Sequence, residues 1–200
     1  MINLINLLPI ISYLIATIIM YKLSLKYDNK QYNKYTGWSR LQILFCSPFL
    51  LIKNYDISKI ATDLIWYNSF GCALSVHIFY ILSKYKAFDI LTSRSLSKFK
   101  IYSKINTKYK ILLQIFADLF VHFTPILISY LYLDTSQQYK YKEYLWLLPA
   151  IIHLIYPYIL IRSWRVEKLY EININYSIFI YLIGWLSIFI GYYVISLNIL

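Results

Sequence analysis

The chain has 200 residues, 60% of them hydrophobic and 20% aromatic, and carries a formal net charge of +11. With a mean hydropathy of +0.53, it lies outside the range of soluble domains, which argues against a water-soluble enzyme or binding module and predicts an all-α, polytopic transmembrane helical bundle. The excess charge does not imply a nucleic-acid partner. The Lys and Arg residues fall in short stretches between apolar runs, where membrane lipid headgroups are the nearer partner.

The first uncharged run, residues 1–21, has the length of a span and no basic flank ahead of it, so it reads as a transmembrane helix rather than a cleaved signal peptide. The next run, 41–52, is short and contains Pro48; extended back through Trp38 and a snorkelling Arg40, it gives a second span at 36–52. Spans three to five are predicted at 64–83, 111–133 and 144–161, and a sixth at 176–198. With no repeat, linker or low-complexity tract, residues 1–200 read as a single integral membrane domain.

If all six segments cross, one side of the membrane receives 16 basic loop residues and the other 4, which puts both termini on the non-cytoplasmic side. The Asn175-Tyr-Ser177 sequon then faces the cytoplasm and is expected to stay unmodified. In the third loop, Leu96, Phe99, Tyr102 and Ile105 recur every three residues among Lys and Arg, predicting a short helix on the membrane surface. That helix is either a polybasic lipid contact or an ordinary positive-inside flank. Trp66, Tyr67, Tyr144, Trp146, Trp164 and Tyr170 fall at run ends and read as interface anchors.

The most informative residues lie in the fourth run. Asp118 and His122 are four apart, hence on one helix face, inside an otherwise uncharged stretch. An acid at membrane depth costs roughly 2.5–3.5 kcal/mol by insertion scales, so its presence points to function or to a buried polar contact. Measured from the cytoplasmic ends of their runs, Asp118 and His77 lie about 10 Å deep, His153 about 12 Å and His122 about 17 Å. Cys46 and Ser47 fall at about the same level. A carboxylate beside a histidine orients the ring as a general base, which would activate a hydroxyl or thiol on a neighbouring helix. The alternative is that Asp, His, Ser and Asn only bond across helices and specify packing. Cys46 and Cys72 form no CxxC pair, so neither a disulfide framework nor a metal site is expected. No cofactor is expected either; the one arrangement with ligands to offer is bis-histidine haem ligation by two of His77, His122 and His153.

Asp118-Leu-Phe-Val-His-Phe-Thr-Pro125 resembles the Asp-Leu-x-x-His-x-x-Pro stretch of the androgen-induced-protein-like family of six-span membrane hydrolases, which cleave fatty acid esters of hydroxy fatty acids. Phe79-Tyr-Ile-Leu-Ser-Lys-Tyr85, Tyr156-Pro-Tyr158 and Gly37-Trp38 are similar to further short patches of that family. The resemblance implies that His122 is the catalytic histidine, Asp118 its polar support and an amphiphilic lipid ester the substrate. Two features depart from the family. Leu41-Gln-Ile-Leu-Phe-Cys-Ser47 lacks the nucleophilic threonine expected in the second span, leaving Cys46 or Ser47 as substitutes, and the charge pattern puts the termini outside, whereas the family's are expected to face the cytosol. The competing expectation is a non-enzymatic membrane protein, an assembly factor or small subunit of a larger complex.

Overall fold

The structure, a computed structural model, describes residues 35–52, 55–97, 100–131, 142–161 and 177–197, together with Ile11, Ile15 and Ile18. Helix α1 (Tyr35–Cys46) runs into a 3-10 segment (Ser47–Leu51) and is followed by α2 (Tyr55–Leu82), α3 (Lys86–Leu96), α4 (Lys100–Lys104), α5 (Thr107–Leu131), α6 (Lys142–Leu145), α7 (Leu147–Ile161) and α8 (Ser177–Ser196). Among the described residues there is no strand, and the fold is all-α. Two helices, Asp56–Leu82 and Thr107–Leu131, are long and apolar enough to cross a membrane, while Glu143–Ile155 and Leu182–Ser196 are apolar but shorter. The expected span at 1–21 lies outside the described residues except for Ile11, Ile15 and Ile18, which are helical and exposed.

Prolines account for two departures from the expected spans. The segment expected as one span over 36–52 leaves the α-helix after Cys46, because Pro48 has no N–H to continue the ladder; the chain tightens into the 3-10 segment. Ser47 fills the break by donating its hydroxyl to Ile43 O at 2.6 Å. The segment expected over 144–161 is interrupted at Trp146, and Pro149 near the start of α7 cannot donate to the carbonyl one turn back.

Helix α2 is the hub, with α1, the 3-10 segment, α5 and α8 packed around it. It begins at Tyr55 rather than at residue 64 because Lys59 and Asp63, which read as a loop flank, lie one turn apart inside the helix and are buried at 6% and 2% exposure. Ile43, Leu50, Ala61, Ile65 and Ile128 form one apolar cluster where α1, α2 and α5 meet, with Cys46 packed against it. Trp66, Tyr67, Cys72, Ala150, Ile188 and Ile195 form a second with α7 and α8. Trp66 and Tyr67 are therefore core residues rather than interface anchors. The Trp66 indole donates to Gly191 O at 3.0 Å, and the Tyr67 ring meets Tyr192 edge-on. Gly191 lets α8 approach closely, since a Cβ there would stand 3.2 Å from the Phe70 ring.

Helix α5 has its polarity inside out. Its buried face carries Gln114, Asp118, His122, Pro125, Ile128 and Ser129. Its exposed face carries Ile111, Leu112, Ile115, Phe116, Leu119, Phe120, Phe123 and Leu127. A surface helix in water shows the reverse pattern, apolar in and polar out.

Candidate functional site

Two contacts fix how α5 lies on α2. Asp118 meets His77, and Ile128 shares an apolar cluster with Ala61 and Ile65, so the helices run antiparallel with Asp118 level with the C-terminal third of α2. His77 and Tyr80, three apart, share the face of α2 that looks at α5.

Asp118 is the centre. Its Oδ1 accepts the Tyr80 hydroxyl at 2.9 Å and lies 3.0 Å from His122 Nδ1, and its Oδ2 lies 3.2 Å from His77 Nε2. Three potential donors from two helices thus converge on one carboxylate, which offsets the cost of holding it out of water. The imidazoles of His77 and His122 meet edge-on with centroids 5.9 Å apart, and Phe123 covers the outer side of His77 at 5.2 Å. Tyr80 is braced from behind by Phe88 of α3, edge-on at 5.3 Å. One turn before Asp118, Gln114 donates to Asp89 of α3 at 3.3 Å, so α3 closes one end of the site.

The protons in this cluster can be counted. His77 Nδ1 is 2.7 Å from Ala73 O, and a carbonyl only accepts, so Nδ1 carries hydrogen. Nε2 faces Asp118, so the contact needs a second proton, on Nε2 as an imidazolium or on the carboxyl group. His122 turns Nδ1 toward Asp118, the orientation that favours hydrogen on Nδ1 and a lone pair on Nε2. Asp118 and His122 are 6% and 7% exposed, whereas His77 is 34% exposed. The cluster is therefore most open on the side of His77 and Phe123, toward the apolar outer face of α5.

The structure brings Asp118, His122 and His77 together but leaves the other candidates elsewhere. Cys46 packs against the cluster of Ile43, Leu50, Ala61, Ile65 and Ile128, whose α5 member lies six residues or about 9 Å beyond His122 and whose α2 members lie at least 12 residues or about 18 Å before His77. Ser47 follows Cys46, is buried at 2% exposure and spends its hydroxyl on Ile43 O. Neither stands at the level of Asp118. His153 is buried on α7 against α8, where a Cβ on Gly184 would fall 2.0 Å from its Nε2. The close edge-on contact of His77 and His122 leaves no space for a macrocycle between them. Among the described residues, no group of three or more His, Cys, Asp or Glu is arranged to hold a metal ion.

Two participants were not singled out from the sequence. Tyr80 had a signal in its i+3 spacing from His77, and Gln114 one in the stripe Gln114, Asp118, His122, Pro125, Ser129. No family model matches the chain, and no curated protein or solved structure matches it.

Proposed function

We propose that the chain is a six-span membrane protein and that Asp118, His122, His77 and Tyr80 form an acid–base centre for hydrolysis of an amphiphilic lipid ester. The observation that carries this reading is the contact of His122 Nδ1 with a carboxylate that also receives Tyr80 and His77. In the proposed step, His122 Nε2 takes a proton from a water whose oxygen adds to the ester carbonyl, and the proton passes to the departing alkoxide, giving acid and alcohol. Water is assigned the attack because Cys46 and Ser47 stand away from His122. The inside-out pattern of α5 supports immersion in lipid, and the half-open side at His77 and Phe123 supports lateral entry of an acyl chain.

The second reading, a non-enzymatic packing node, draws on the same contacts: they join α2 to α5, as buried polar groups in membrane bundles do. Purified full-length protein in phosphatidylcholine nanodiscs, assayed against fatty acid esters of hydroxy fatty acids and simpler long-chain esters, separates the two. Hydrolysis that falls at least about 100-fold in His122→Ala, with the variant still folded by circular dichroism, supports the acid–base centre. Wild-type protein with no hydrolysis above empty nanodiscs, or a His122→Ala variant as active as wild type, would sink it.

A further inference from the structure

Between the two helices that form the site lies the most basic part of the chain. Residues 84–110 hold eight Lys or Arg residues and a single acid, Asp89, whose carboxylate already accepts from Gln114. We propose that this segment is a docking surface for anionic phospholipid headgroups.

The backbone fixes where Lys84, Lys86, Lys104, Lys108 and Lys110 stand. Helix α2 ends in a tight reversal: Tyr85 N donates to Tyr80 O at 2.7 Å and Lys84 N to Ile81 O at 2.9 Å, a Schellman pattern. Lys84 and Tyr85 both take positive φ, 51° and 62°, without glycine. The chain therefore turns back at once, and Phe88 and Asp89 press α3 onto Tyr80 and Gln114. At the far end, the Lys110 ammonium stands over the Tyr102 ring at 5.4 Å, tying α4 to the first turn of α5. Both ends of the segment are thus held against apolar helices long enough to cross a bilayer.

Lys84, Lys86, Lys104 and Lys108 are exposed, and exposed Tyr85, Ile90 and Tyr109 lie among them. Basic and aromatic side chains at the end of apolar helices match a headgroup layer, where ammonium groups meet phosphates and rings sit at the polar boundary. A nucleic acid or acidic protein would match the charge but would leave the aromatic and aliphatic groups without a partner.

The inference rests on the membrane-spanning part of the proposed function and not on the hydrolase. Its test uses the full chain reconstituted in phosphatidylcholine bilayers. Resistance to carbonate extraction establishes insertion, and electron spin resonance of spin-labelled phosphatidylserine against phosphatidylcholine measures which lipid collects at the protein. Several-fold preference for phosphatidylserine is expected. It should disappear when Lys84, Lys86, Lys104 and Lys108 are all changed to Gln, and in 1 M salt, where screening acts over about 3 Å; it should persist when the same four become Arg. Extraction by carbonate would overturn both this inference and the membrane reading. Firm insertion with equal uptake of the two lipids, or a preference unchanged in the Gln variant, would overturn this inference alone.

Discussion

Asp118→Asn and Asp118→Ala should differ sharply in stability, although both remove the same charge. In the wild type, Oδ1 accepts the Tyr80 hydroxyl and lies 3.0 Å from His122 Nδ1, and Oδ2 faces His77 Nε2. An amide that keeps its oxygen at the Oδ1 position retains the first two partners. Its NH2 then stands where Oδ2 was, facing His77 Nε2, and because His77 Nδ1 already donates to Ala73 O, a neutral ring presents a lone pair there. Every group stays paired. Alanine instead takes the carboxylate away from both α2 groups, Tyr80 and His77. Polar contacts between membrane helices average about 0.6 kcal/mol each, and two of them cross from α2 to Asp118, so the loss is about 1.2 kcal/mol, or about eightfold in the unfolding equilibrium. Unfolding in mixed micelles, followed by circular dichroism, should place Asp118→Asn near wild type and Asp118→Ala well below it. Hydrolysis, if His122 is the base, should fall at least about 100-fold in both, because neither carries the anion that stabilises the imidazolium. Equal destabilisation by Asn and Ala would refute the proton count at His77 and with it the described geometry of the cluster.

Cys46→Ala and Ser47→Ala should leave hydrolysis within about twofold of wild type, since both residues sit away from the level of His122; a loss of about 100-fold in either would return the nucleophile to α1. Gly184→Ala should cost about 1–3 kcal/mol by overpacking against His153, and should cost little in a His153→Ala background. A Gly184→Ala cost that is the same in both backgrounds would show that the ring does not occupy that space. Trp66→Phe removes the indole bond to Gly191 O, worth about 0.6 kcal/mol, and leaves a smaller ring in a buried site, so it should cost more than that bond alone in the same unfolding assay.

The all-helical class was legible because uncharged runs of about 18 residues or more are too long for ordinary strands, and the cores of the third and fourth predicted segments appear as α2 and α5. The ends were less legible. Charge was read as a mark of loops, yet Lys59 and Asp63 are enclosed in the first turns of α2, where neighbours replace solvent. Aromatic residues at run ends were read as anchors, and the same extension of α2 turns Trp66 and Tyr67 into core groups facing α8. Trp146 joins their cluster, meeting Trp185 at 5.5 Å and Phe189 at 5.0 Å. An aromatic ring carries no label that separates a bilayer interface from a helix seam.

The site shows why depth counting succeeded for one pair and failed for another. His77 and Asp118 were placed about 10 Å from the same end of their helices, and they meet because the C-terminal end of α2 and the start of α5 were read within a few residues of where they lie. The expected span at 36–52 puts Cys46 and Ser47 at about the level of Asp118. Helix α1 begins close to that expected start, at Tyr35, with Arg40 inside it, and Cys46 lies eleven residues or about 17 Å along it. Pro48 then ends the helix, and Cys46 packs against the apolar cluster that holds Ile128. Helix register, more than residue chemistry, therefore decides the candidate mechanism: the same thiol two or three turns earlier on α1 would stand near the Asp118 level, and where it stands it fills an apolar seam. The acid–base reading consequently depends on the one part of the site that the register does bring together, a carboxylate shared by two imidazoles and a phenol on the α2–α5 seam.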